Sequence, residues 1–97
     1  MKVSVRFYSH LADLVGKKSK MEFDLKDGVT ISTLLDELLQ DPKIKQHLLD
    51  ERGELNSDIT ILKNGREIRY LDGLKTSLTA DDEIAIFPMV AGGARTV

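Results

Sequence analysis

There is no cysteine among the 97 residues of the chain. That absence excludes disulfides, zinc ribbons, side-chain thioesters, persulfides and thiolate nucleophiles. A charge excess is missing too: 14 basic residues stand against 16 acidic ones, for a net charge of -2. A nucleic-acid binder built on a strong basic field is therefore not expected. The longest nearly apolar stretch, Ile84 to Ala91, is far short of the roughly 18 residues a membrane helix needs. Met1-Lys2-Val3-Ser4-Val5-Arg6 alternates instead of placing a basic stretch before an apolar run, so it does not read as a targeting segment. The expectation is a cytoplasmic protein that binds neither membrane nor nucleic acid. What is present, 41% apolar and 31% charged residues, is the balance of an ordinary soluble globule. The length fits one domain.

Hydropathy patterning orders the elements. Val3, Val5 and Phe7 alternate with Lys2, Ser4 and Arg6, the period of a half-buried strand. Ser9 is placed to cap a short helix holding Leu11, Ala12, Leu14 and Val15, with Gly16 placed to end it. Met21, Phe23 and Leu25 alternate with charged residues in a second strand, which Asp27-Gly28 closes with a turn. Thr30 is the predicted N-cap of the main helix. There Ile31, Leu34, Leu35, Leu38 and Leu39 form one stripe at the helical period. Asp41-Pro42 starts another helix, with Ile44, Leu48 and Leu49 inward.

Glu51 to Asp58 reads as a loop and Ile59 to Lys63 as a strand. Asn64-Gly65 is the hairpin signal, since both residues tolerate the positive φ of a type I′ turn. It predicts a returning strand over Glu67 to Tyr70, followed by irregular chain to Ala80. The last strand is predicted over Glu83 to Phe87. Its core, Ile84-Ala85-Ile86-Phe87, is apolar on both faces, which belongs to a central strand. Pro88 cannot donate to a ladder and marks its end. The long crossover between strands two and three favours an α+β domain: a mixed sheet of about five strands with the main helix across one face. Setting the last strand beside the first gives a β-grasp, ubiquitin-like fold. The division is a folded domain over 1–88 and a flexible tail over 89–97.

No catalytic constellation emerges. His10 and Asp13 have an i, i+3 spacing, but a metal site normally takes about three or four ligands and no third is indicated. Neither phosphate-cradling glycine motif occurs, nor a G-x-S-x-G elbow. Asp81-Asp82 reads as a solvated turn before a strand, because successive residues there point apart. Lys17, Lys18 and Lys20 read as a solvated face, with contact to an acidic partner as the functional alternative. No catalytic residue, metal or bound cofactor is predicted.

The C-terminal segment is more informative. Pro88-Met89-Val90-Ala91-Gly92-Gly93 becomes progressively smaller, and two glycines let a backbone enter a channel too narrow for side chains. The dipeptide alone reads as a flexible end. In combination it says more. Val3-Ser4-Val5-Arg6-Phe7-Tyr8, Leu11-Ala12-Asp13-Leu14-Val15-Gly16, Asn64-Gly65-Arg66, Leu71-Asp72-Gly73-Leu74 and Leu78 to Pro88 all precede that tail. Together the chain resembles the small sulfur carriers of molybdopterin synthesis (the molybdopterin-synthase small subunit) and their ThiS-like relatives.

The resemblance implies a carrier that is not itself an enzyme. Gly93 would be the activated residue, with Gly92 its companion in the partner's channel. An E1-like adenylyltransferase would adenylate the Gly93 carboxylate with ATP, and sulfur would then replace AMP to give a thiocarboxylate. The recipient would be the molybdopterin synthase large subunit. Phe87 matches the family's aromatic docking residue, and Phe87, Pro88, Met89, Val90 and Ala91 are the candidate partner-binding group. Core packing is the competing reading of Phe87. Two departures stand out. Ala94-Arg95-Thr96-Val97 follow Gly93 and keep its carbonyl in a peptide bond, so a processing peptidase is implied. Met89 stands where many relatives have a second proline, and the Asp41 to Asp58 region is longer than in the shortest carriers. Two other functions need the same fold: a modifier joined to lysines through Gly93, and an interaction module that is never activated.

Overall fold

The alternation of the first strand becomes β1, Lys2–Phe7, with Val3, Val5 and Phe7 buried on one face. In the computed structural model, which describes residues 1–88, α1 (His10–Val15), β2 (Lys20–Asp24), α2 (Ile31–Leu38) and α3 (Pro42–Leu48) follow. β3 (Ile59–Lys63), β4 (Arg66–Glu67) and β5 (Asp82–Pro88) complete the sheet. Its strand order is β2-β1-β5-β3-β4. β5 is central, parallel to β1 and antiparallel to β3. This is the predicted mixed sheet of a β-grasp fold. Among the described residues no helix is long and apolar enough to cross a membrane.

The helices lie on one side of the sheet. Ile31, Leu34, Leu35 and Leu38 on α2, with Ile44 and Leu48 on α3, meet Val3, Val5, Ile59, Ile61, Ile84 and Ile86 of the strands in one core. Each fully buried aliphatic side chain contributes about 1.5–3 kcal/mol. Asp41 caps α3 as predicted, accepting from the Lys43 N–H at 2.9 Å with Pro42 in the first turn. Lys18 also binds the Asp41 carboxylate. Its hydrogen bond, then that of the Lys43 amide, holds this carboxyl below its ordinary value. Lys18 is therefore engaged instead of merely solvated.

Several local expectations are corrected. Ser9 does occupy the N-cap of α1, but its side chain makes no capping bond. Its backbone, at φ 60° and ψ -146°, lies near a region that glycine alone adopts readily. Thr30 likewise makes no side-chain cap; the free Ile31 N–H finds the Thr76 carbonyl at 3.0 Å instead. The returning strand spans only Arg66–Glu67, and Ile68–Tyr70 is a 3-10 turn. Arg69 explains the early exit. It pairs with Glu67 at 3.3 Å, and its guanidinium donates to the Ile59 and Ser57 carbonyls at 3.3 and 3.4 Å. Those acceptors are thus satisfied without a longer strand.

The last strand is longer than predicted by one residue at each end. Tyr8 donates to the Ile86 carbonyl at 3.0 Å, and the next bond of that parallel ladder would need an N–H on residue 88. Pro88 has none, so the ladder stops there. At the other end Asp82 is not solvated but buried, at 2% exposure. It accepts from the Thr79 N–H (2.7 Å), the Thr79 hydroxyl (2.8 Å) and the Asn64 amide (2.9 Å). Lys63 lies 3.5 Å away. Asn64 in turn accepts from the Glu83 N–H at 2.8 Å, which fastens the hairpin turn to the start of β5. The turn has the expected positive φ at Asn64 (50°) and Gly65 (83°).

Thr60 is buried on β3, and its hydroxyl finds no hydrogen-bond partner among the described residues. An unsatisfied buried hydroxyl is a net cost. Thr60→Val, which keeps the shape, is expected to hold or raise stability by up to about 1 kcal/mol. Chemical denaturation checks this: a midpoint that falls would mean the hydroxyl is satisfied after all.

Candidate functional site

Among the described residues no helix covers the other face of the sheet, although Thr60 on that face is buried. Along β5, Ile84 and Ile86 point into the core while Glu83, Ala85 and Phe87 point to that other face. Register places their neighbours. Arg6 of β1 and Leu62 of β3 flank Ala85. Thr60 flanks Phe87. Beyond β1, Lys20 of β2 stands opposite Arg6, and Glu22 opposite Ser4. Arg6, Lys20, Glu22, Leu62, Ala85 and Phe87 line an open trough of about 710 Å³, from which the buried Thr60 is absent.

One end of the trough is aromatic. Tyr8 continues from β1 and meets Phe87 edge to face, with ring centroids 6.5 Å apart and planes at 88°. Such a pair favours one fixed arrangement of the two rings. Phe87 is half-buried and Tyr8 is 43% exposed, so an apolar surface faces solvent where β5 ends. Phe87 is not a member of the helix-covered core. Pro88 follows, half-buried and opposite Ile59. Glu22 and Glu83 stand toward the other end of the trough.

Of the predicted partner-binding group, Phe87 and Pro88 are therefore at the exit of the central strand. Met89, Val90, Ala91, Gly92 and Gly93 lie outside the described residues. Sequence reasoning missed Tyr8, Leu62, Ala85 and Arg6 as site residues, and offered Lys20 only through the alternative reading of its basic run as a contact for an acidic partner. Their signal was the second phase of each strand's alternation, which marks a face but not what that face is for. His10 and Asp13 are both exposed on α1, and among the described residues no group of three or more histidine or acidic side chains is placed to hold a metal.

The Asp82 cluster is at the opposite end of β5 from Phe87. Burial pushes the Asp82 carboxyl up. The Thr79 and Asn64 hydrogen bonds and the Lys63 charge outweigh that and hold it below its ordinary value. The cluster anchors the central strand; it does not line the aromatic end of the trough.

Comparison with known proteins shows what the chain as a whole is similar to. The model of the ThiS family matches residues 5–93. Small archaeal modifier protein 3 of Haloferax volcanii is 36% identical over 93 residues, covering 96% of this chain and all of that one. A putative sulfur carrier protein of Archaeoglobus fulgidus is 46% identical over 48 residues, 50% of this chain and 54% of its own. The crystal structure of SAMP1 from Haloferax volcanii superposes with a TM-score of 0.81 at 28% identity, covering 96% of this chain and 100% of that one.

Proposed function

The chain belongs to the ThiS family of small ubiquitin-like carriers and modifiers, and from that premise we propose that it is a sulfur carrier working through Gly93. The observation that carries the reading is the extent of the family match: it ends on Gly93 and leaves out Ala94-Arg95-Thr96-Val97. A peptidase removes those four residues by hydrolysis and frees the Gly93 carboxylate. An E1-like adenylyltransferase then joins that carboxylate to the α-phosphate of ATP and releases pyrophosphate. Carboxylate oxygen is a poor leaving group, whereas AMP is a good one, so an incoming sulfide displaces AMP and leaves a thiocarboxylate. The molybdopterin synthase large subunit receives the sulfur.

The chain's own residues supply position, not chemistry. β5 is held on both sides, so the segment beyond Pro88 starts from a fixed point. The trough ending in Tyr8 and Phe87 is the docking surface beside that point. An aromatic anchor commonly carries a large share of an interface's energy.

A modifier role has its own support in the full-length similarity to Small archaeal modifier protein 3. The two fates diverge after adenylation, at sulfur or at a lysine amine. Incubating the chain ending at Gly93 with ATP, a sulfur source and the E1-like enzyme separates them. The expected product is the carrier heavier by one sulfur-for-oxygen exchange. Lysine-linked adducts without that product would make it a modifier, and an unchanged mass would remove both.

A further inference from the structure

The face opposite the helices carries a charge arrangement that its own strands do not neutralise. The Leu25 N–H donates to the Met1 carbonyl at 2.8 Å, so that pair of the β1–β2 ladder is a hydrogen-bonded one. Alternation then makes Lys2–Asp24, Ser4–Glu22 and Arg6–Lys20 the non-hydrogen-bonded pairs, in which side chains stand closest. Lys2 faces an opposite charge. Arg6 faces another cation. Like charges directly opposite each other destabilise a sheet. Among the described residues neither Arg6 nor Lys20 makes an ion pair. Both line the trough that ends in Tyr8 and Phe87, while Glu22 and Glu83 stand farther down it.

We propose that Arg6 and Lys20 are a recognition site for acidic side chains of the activating partner, placed next to the apolar seat made by Tyr8, Ala85, Phe87 and Leu62. The proposal rests on the carrier reading above and adds the chemistry of the partner's surface. An acidic group there relieves the repulsion between the two cations, so the pair favours the bound state over the free one. Glu22 and Glu83 repel the same acidic group in the inverted orientation. The charges therefore orient the docked domain as well as attract its partner, leaving the end of β5 toward the partner's acidic side.

Lys20→Glu tests this, because it sets opposite charges across the strand pair and inverts the recognition charge at one stroke. The domain is expected to melt at or above the wild-type temperature. Its affinity for the E1-like adenylyltransferase of the same organism, measured without ATP, is expected to fall by at least about tenfold and to lose most of its salt dependence. Lys20→Gln, the milder variant, should fall between. If Lys20→Glu binds like wild type with the same salt dependence, the cation site is wrong while the carrier reading stands. If wild type itself does not bind the enzyme, the carrier reading falls and takes this proposal with it. A lower melting temperature for both variants would overturn the claim that the pair is strained in the free domain.

Discussion

A chain ending at Gly93 is expected to support ATP–pyrophosphate exchange by its E1-like partner, and the same chain carrying Ala94-Arg95-Thr96-Val97 is expected to support none above background. The reason is chemical. An adenylate needs a free carboxylate, and in the longer chain the Gly93 carbonyl is tied in a peptide bond. The longer chain should still bind the enzyme, because the trough on the sheet is unchanged. Exchange is therefore measured beside affinity. Gly93→Ala in the shortened chain separates position from binding. A displacement of the reacting carboxylate by about 1 Å costs on the order of a hundredfold in rate. The exchange rate should drop accordingly while affinity for the enzyme, set mainly by the sheet, changes little. Equal exchange from the long and short chains would remove Gly93 from its role.

The second large effect is on stability. Asp82→Ala strips three hydrogen bonds and a nearby charge from a buried site. It leaves the Asn64 amide, the Thr79 N–H and Lys63 without their shared acceptor. Removing one side of such a buried network should cost about 3 kcal/mol. The effect must also depend on pH in one direction. The folded protein holds this carboxyl below its ordinary value. Its contribution is then fully present above the unfolded value and is lost as pH falls through the folded one. The gap between wild type and Asp82→Ala should be constant above about pH 5 and shrink below about pH 4. Thermal melts of both proteins across that range check it. A gap that grows on acidification would mean the carboxyl is held above its ordinary value. Asp41, also depressed, is present in both proteins and drops out of the difference.

Much of the architecture is legible because the patterns are local. Val3, Val5 and Phe7 carry a strict period of two, and Ile31, Leu34, Leu35 and Leu38 a helical one. Ile84 to Phe87 is apolar on both faces, which places β5 inside the sheet before any partner strand is known. The illegible parts depend on distant segments. Ser9 sits at a positive φ that no serine prefers, held where β1 hands over to α1. β4 stops early because Arg69 reaches back to Ser57 and Ile59. Asp82 looked like half of an acidic turn. What makes it an internal anchor is Asn64, 18 positions earlier. The site divides the same way. Phe87 is readable as the aromatic end of a central strand. Tyr8, Leu62 and Ala85 become one surface only because β5 runs between β1 and β3.

That strand order also governs how the chain reaches its folded state. Val3 and Asp82 are neighbours across the middle of the sheet. A nascent polypeptide emerging from the ribosome makes β1, β2 and the helices early, but has no seam to join them until Pro88 has appeared. Before then β1 and β3 each present an unpaired apolar edge, the kind of surface on which growing chains stick to one another. Pairing the first strand with the last also raises contact order, which slows folding relative to a domain built from local hairpins. Folding is thus deferred to the end of synthesis. An interrupted product lacking β5 has no stable half-domain to fall back on and is a natural substrate for chaperones and proteases.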